Sequence, residues 1–495
     1  MVRMVIQNNK LPMLATKWSS EKAEHQFAVY NPATDKVITV IQGGGAEEID
    51  AAVSAADKAF HEVWKHVPAQ ERGSLLRKSA EIIKLNLEEL AILESKENGK
   101  PINQARDDVE KCVKAFEYFG CLVGNIPNEL LDLGPIYVPI FLEPYGVVGG
   151  ILPYNWPPIH MAAKTAPVLA AGNTVVLKPA EQAPLTVIRL VELIQDVFPK
   201  NVINVVAGIG PETGQALVSH PLVRKISFTG ASATGVSILK EAANNLTPCI
   251  LELGGKNPMI VFEDANIDSA VRGAVEGAFY NSGQACTAAS RIIVHRSIQE
   301  EFVDRLAKVV KEMKVGDGAN STTHIGPLVS QQQKKRVLDY IDIGIKEGAV
   351  IAAEGKLPEE PELKDGYFVK PIIFTNVDTK MRIAQEEIFG PVTCILTFDD
   401  IEEAISIAND SEYGLVASIY TASHDFAMRV ARQLDVGTVF INNYYRGGVG
   451  VPFGGNKASG FGRERALETI REFGRSKAVK VLSGLGNVKE WDTEN

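Results

Sequence analysis

Cysteine is scarce in this chain. Five occur in 495 residues: Cys112, Cys121, Cys249, Cys286 and Cys394, scattered and without a CxxC pair. The odd number and wide spacing argue against a disulfide framework and a structural zinc, and point to a reducing compartment. No metal site is expected. Long hydrophobic runs are also lacking. The most apolar stretch, 135–178, is broken by Glu143, His160, Lys164 and repeated Gly and Pro, so it does not read as a membrane span. Nor is there a basic excess: 51 Lys and Arg face 61 Asp and Glu, a net charge of −10. An acidic surface repels phosphate backbones, which disfavours nucleic acid as a partner yet leaves room for a local pocket holding one phosphorylated cofactor. Arg3, Lys10 and Lys17 give the first twenty residues a positive bias. They show neither an Arg/Ser-rich amphipathic pattern nor an apolar signal core, and a cytoplasmic location is expected.

What is present is ordinary globular composition, 45% hydrophobic and 23% charged, with a length that suggests about three domains. Residues 45–119 read as helices, with apolar positions such as Ile49, Val53, Ala56 and Phe60 at helical spacing. Residues 122–145 break that pattern with PIYVPIFLEPY, which predicts a hairpin or edge-strand excursion. Strands and helices then alternate. NTVVL (173–177), NVINVVAG (201–208), VRKISFTG (223–230) and PCILELGG (248–255) are strands separated by helical segments. Such alternation implies a parallel sheet covered on both faces, with ligands at the carboxyl ends of its strands. A second α/β unit follows, from IDSAVRGAVEGAFYNSG (267–283) to VGTVFINN (436–443).

Five short segments carry chemistry. In NSGQACTAASR (281–291) small residues surround Cys286, leaving a thiol open to substrate and backbone N–H groups able to face it. An arbitrary cysteine is a buried, inert one; this context argues for a nucleophile. In LELGG (251–255) Glu252 lies between two leucines at a strand end. A carboxylate there is costly unless solvated or used. In PYNWPP (153–158) Asn155 sits in a stiff turn, where its amide suits a developing oxyanion. LKPAEQAP (177–184) places Lys178 and Glu181 after a strand, and QEEIFGPV (385–392) runs a charged pair into a Phe-Gly-Pro turn. Two glycine patterns are weak. GIGPETG (208–214) is too long for G-x-G-x-x-G, and SFTGASATG lacks the Lys-Ser/Thr of a P-loop.

Taken together and in this order, PYNWPP, LKPAEQAP, LELGGKNP, GQACTAASR, EEIFGPV and PFGGNKASGFGRE resemble the NAD(P)-dependent aldehyde dehydrogenase superfamily over essentially the whole chain. The resemblance implies an α/β fold: a Rossmann-like cofactor domain (1–121 and 146–254), a catalytic α/β domain (255–456) and a small β oligomerisation arm (122–145 and 470–495). It implies Cys286 as nucleophile, Asn155 as oxyanion donor, Glu252 as base for the hydrolytic water, and Lys178 among the catalytic as well as the cofactor residues. Relatives that pass the acyl group to coenzyme A lack a glutamate at the position of Glu252, so a free acid is the expected product. Cofactor contacts carry over to Lys178, Glu181, Gly230, Ser232, Gly235, Leu253, Glu387 and Phe389. A carboxylate at 181 accepts from a ribose 2′-hydroxyl and repels a 2′-phosphate, favouring NAD over NADP. Ala231 stands where relatives often place Ser.

By the same resemblance Trp156, Tyr280, Arg446, Gly447 and Phe453 line the substrate tunnel. Aromatic walls suit an apolar or aromatic aldehyde. Arg446 offers an alternative, a semialdehyde whose distal carboxylate it reads. Ala163 replaces a Trp of trimethylammonium-binding relatives, which weakens the case for a quaternary cation. The arm and SKAVKVLSG (476–484) are expected to pair as strands between subunits of a homodimer or homotetramer.

Overall fold

Strand Val147–Ile151 is buried at every position and lies at the centre of a six-stranded sheet. The order is Gly460–Phe461, Cys249–Glu252, Val223–Thr229, Val147–Ile151, Thr174–Lys178, Ile203–Val205. All neighbours are parallel except the Gly460–Phe461 edge. The computed structural model describes residues 25–444 and 448–486. Period-two alternation divides this sheet between two cores. Val175 and Leu177 pack with Met161, Ala166 and Ile188 on one side, while Val176 packs with Ile49, Val53 and Leu217 on the other. Both faces of a parallel sheet are thus covered, which is why its strands read as continuous apolar runs. The chain reverses its direction of progress between Val147–Ile151 and Val223–Thr229, the kind of switch point that opens a ligand crevice at the carboxyl edge.

A seven-stranded sheet follows: Val350–Glu354, Ile372–Thr375, Val392–Phe398, Arg291–His295, Pro258–Val261, Val416–Tyr420 and Thr438–Ile441. Only the Val350–Glu354 edge is antiparallel. Met259, Val261, Ile292 and Val294 face one core, and Ile260 and Ile293 face the other.

Four helices, Ala46–Glu62, Ala69–Leu85, Leu87–Asn98 and Ile102–Leu122, occupy the region read as helical. Ahead of them an antiparallel hairpin, Gln26–Asn31 with Lys36–Gln42, had no counterpart in the sequence reading. The excursion at 122–145 contains strands Glu129–Asp132 and Ile136–Pro144. Its partners differ from expectation. Gly474–Ala478 and Val481–Leu482 pair with Ile136–Pro144 inside the same chain, because helix Leu467–Glu472 and the Gly460–Phe461 strand bring the C-terminal segment back beside it. These strands pair with one another within one chain. No helix among the described residues is long and apolar enough to cross a membrane.

Candidate active site

Three of the expected residues arise at carboxyl ends of the first sheet. Lys178 ends Thr174–Lys178, Glu252 ends Cys249–Glu252, and Asn155 follows Val147–Ile151 by one turn. Cys286 comes from the second unit, on the loop before Arg291–His295. One cavity is lined by Cys286, Glu252, Trp156, Tyr280 and Phe453 together.

The Cys286 loop is shaped by backbone that other residues avoid. Asn281, Ser282 and Gly283 have φ of 53°, 56° and 71°. A side chain at Gly283 would run into the carbonyl of Gly390. Consecutive left-handed residues cost free energy and persist only where surroundings enforce them. Here Asn257 Nδ2 donates to the carbonyls of Cys286 and Ala288 at 2.8 Å each, and Gln104 Oε1 accepts from Asn281 N. Cys112, Cys249 and Cys394 are buried, and burial raises their thiol pKa values, to about 11 for Cys249 and Cys394. Cys286 is only partly buried and opens on the cavity.

Asn155 is 3% exposed. Its Nδ2 donates to Gln284 O at 3.1 Å, two residues from the thiol, so the expected oxyanion donor is tied to the nucleophile's own loop. Glu252 is 3% exposed, and neither carboxylate oxygen has a hydrogen-bond partner among the described residues. Its pKa is held well above the ordinary range, first by burial and then by the negative charge of Glu464. Lys164 opposes this; its Nζ lies 2.7 Å from Glu464 Oε1 and 3.1 Å from Ser227 Oγ.

The cofactor candidates fall along the same carboxyl edge. Lys178 Nζ meets Glu181 Oε2 at 3.0 Å, with burial lowering the lysine pKa. Gly230 precedes helix Ser232–Ala242, and the Leu253 side chain packs against Gly235, where a Cβ would come within 2.7 Å of it. Ser232 Oγ donates to Ala458 O at 3.1 Å rather than standing open at the helix start. Glu387 Oε1 accepts from Gly255 N at 3.0 Å, and burial lifts its pKa to about 7. Phe389 adopts φ 62° and meets Tyr154 edge-on at 5.9 Å. Helix N–H groups suited to a pyrophosphate, an acid–lysine pair, and a buried carboxylate beside a glycine turn form a donor set that fits a dinucleotide.

The wider tunnel is largely apolar, with Phe119, Ile159 and Phe440 among its walls. Ala163 also lines it. At its polar side Tyr280 Oη donates to Asp107 Oδ2 at 3.2 Å, and Lys111 pairs with the same oxygen. The Arg465 guanidinium lies 4.2 Å over the Phe453 ring. Arg446 and Gly447 lie outside the described residues. Sequence reasoning missed Asn257, Asn281, Lys164, Glu464 and His160. Asn257 lies within the quoted LELGGKNP motif and Glu464 within PFGGNKASGFGRE, so both were visible, but no spacing rule links them to residues far away in the chain. His160, 6.3 Å from Trp156, is kept neutral by burial and by the nearby Lys164, Arg465 and Lys100.

Comparison with known proteins agrees with this geometry. Residues 18–479 match the sequence model of the aldehyde dehydrogenase family. An aldehyde dehydrogenase of Didymella fabae is 48% identical over 480 residues, 97% of each chain. Aldehyde dehydrogenase citD of Monascus ruber is 49% identical over 475 residues, 96% of this chain and 95% of its own. The crystal structure of Staphylococcus aureus betaine aldehyde dehydrogenase in complex with NAD+ matches with a TM-score of 0.92 at 39% identity, over 96% of this chain and 95% of that one. With a thiol, a buried carboxylate and a dinucleotide-type sheet edge converging on one cavity, this chain belongs to the aldehyde dehydrogenase family.

Proposed function

We propose that the protein carries out NAD-dependent, coenzyme-A-independent oxidation of an aldehyde to a carboxylic acid. The observation that carries this reading is Glu252: a buried carboxylate without hydrogen-bond partners among the described residues, lining the same cavity as Cys286. The Cys286 thiolate attacks the aldehyde carbon and forms a thiohemiacetal. The Asn155 amide and the Cys286 backbone N–H receive the oxyanion, an arrangement in which each donor lowers the barrier by on the order of 3 kcal/mol. A bound NAD would supply the hydride acceptor. Lys178 and Glu181 would hold its adenine ribose, Gly230, Ser232, Gly235 and Leu253 would shape its pyrophosphate turn, and Glu387 and Phe389 would face the nicotinamide end. The resulting thioester is hydrolysed by water from which Glu252 takes a proton, splitting one hard step into two.

The apolar tunnel favours an apolar or aromatic aldehyde. Betaine aldehyde is a weaker fit because Ala163 supplies no aromatic wall at its position in the lining. The alternative, a carboxylate-bearing semialdehyde, depends on Arg446. Cofactor domain 1–121 with 146–254, catalytic domain 255–456 and arm 122–145 with 470–495 remain our division of the chain. The arm exposes Leu130, Leu131, Phe141, Leu142 and Leu482, an apolar edge that supports a homodimer or homotetramer. We place the protein in the cytoplasm with small molecules as its partners.

The test is Glu252→Gln. A pre-steady-state burst of NADH followed by stalled turnover is expected, since acylation survives and hydrolysis does not. Smooth turnover at the wild-type rate removes Glu252 from this role.

A further inference from the structure

Lys100 is 1% exposed and makes three contacts in the interior. Its Nζ donates to Glu94 Oε1 at 2.5 Å, to Asp108 Oδ2, and to the backbone carbonyl of Asn155 at 2.8 Å. Burial opposes its charge, while the adjoining Asp108 and Glu94 favour the ammonium and raise its pKa; burial in turn raises the pKa of both carboxyls. The Asn155 carbonyl accepts a second bond, from Asn281 Nδ2 at 2.9 Å. The preceding carbonyl, of Tyr154, accepts from Asn98 Nδ2 at 2.6 Å. Two successive carbonyls of the oxyanion turn are therefore held by Asn98 and Lys100, which flank the left-handed Gly99 (φ 83°) at the end of helix Leu87–Asn98. Gly99 admits no side chain, because Pro327 would lie 2.5 Å from a Cβ there. Asn281 Nδ2 also reaches Gln284 O at 3.2 Å, the acceptor used by Asn155's own amide.

A buried ion triad is a poor source of net stability compared with packed apolar residues of similar volume. What it supplies here is direction at one carbonyl. We propose that Lys100 is a positioning residue for the reaction: anchored by Glu94 and Asp108, it fixes the Asn155 backbone and thereby the amide that meets the oxyanion. This rests on the assignment of Asn155 as oxyanion donor.

The experiment is a double-mutant cycle with Lys100→Met and Asn155→Ala, read by steady-state kinetics with NAD and one aldehyde. Lys100→Met is expected to lower kcat on the order of 100-fold, the scale of a misplaced catalytic group. KM for both substrates should change by less than about threefold, as for an interaction realised only in the transition state. In the Asn155→Ala background the same change should cost less than about threefold, because residues acting through one another are not additive. Full additivity, or a raised KM at unchanged kcat, overturns the positioning role while leaving the oxyanion assignment intact. An Asn155→Ala single variant with wild-type turnover overturns both. Should Lys100→Met fail to fold, Asp108→Asn takes its place in the cycle. A fall of roughly tenfold in kcat is then expected, again absent once Asn155 is gone.

Discussion

Lys164 and Glu464, three hundred positions apart in the chain, form a buried ion pair at 2.7 Å, and its negative partner raises the pKa of Glu252. In the proposed mechanism Glu252 is the base and must be ionised to act, so this charge would delay hydrolysis to higher pH. Glu464→Gln removes the like charge and leaves Lys164 unopposed. Both effects lower the pKa of Glu252, and the rising limb of thioester hydrolysis should move to lower pH. Rapid-quench deacylation rates across pH 6 to about 10, a span covering neutrality to lysine titration, would show it; a limb that stays in place or moves alkaline contradicts the coupling.

Glu181 and Lys178 pair at 3.0 Å on the cofactor edge. Glu181→Ser removes the repulsion toward a 2′-phosphate and frees the ammonium to meet one. The ratio of kcat/KM for NADP over NAD should rise by roughly tenfold, about 1.4 kcal/mol. An unchanged ratio places coenzyme selection elsewhere.

Gly283 has φ 71° and no space for a Cβ beneath Gly390. Gly283→Ala should cost on the order of 1–3 kcal/mol of stability, visible as an earlier denaturant midpoint. Because Cys286 sits on the same loop, kcat should fall while NAD affinity holds. Equal loss of both would mean a general collapse instead.

The apolar edge of the arm gives an assembly prediction. Light scattering should find a dimer or tetramer for the wild type, and Phe141→Asp with Leu482→Asp should shift it toward monomer. A wild-type monomer refutes the proposed assembly.

Much of the site was legible because its chemistry clusters locally. Small residues around Cys286, a carboxylate inside an apolar strand and an Asn in a Pro-rich turn each violate the bland expectation for their surroundings, and each lies at or beside the cavity. The alternating strands were equally readable, since a strand such as Thr174–Lys178, buried on both faces, carries an unbroken apolar run of Val175, Val176 and Leu177. The hairpin at 26–42 was not, because only Val29 and Ile41 among its strand residues are buried and its alternation is faint. The arm's pairing within one chain was also hidden. Strand edges carry the same unpaired N–H and C=O groups whichever chain supplies the partner.

The order of residues determined the elements and the carboxyl-edge location of the ligand crevice, which follow from short-range pattern, and it supplied the candidates for nucleophile and base through side-chain chemistry and the family resemblance. Tertiary structure alone decided which distant charges face one another. The pairing of Lys164 with Glu464 beside Glu252, and of Lys100 with the Asn155 carbonyl, depends on where whole sheets and helices pack. Electrostatic coupling in a dry interior falls off over a few ångströms of space, and sequence separation carries no record of that distance.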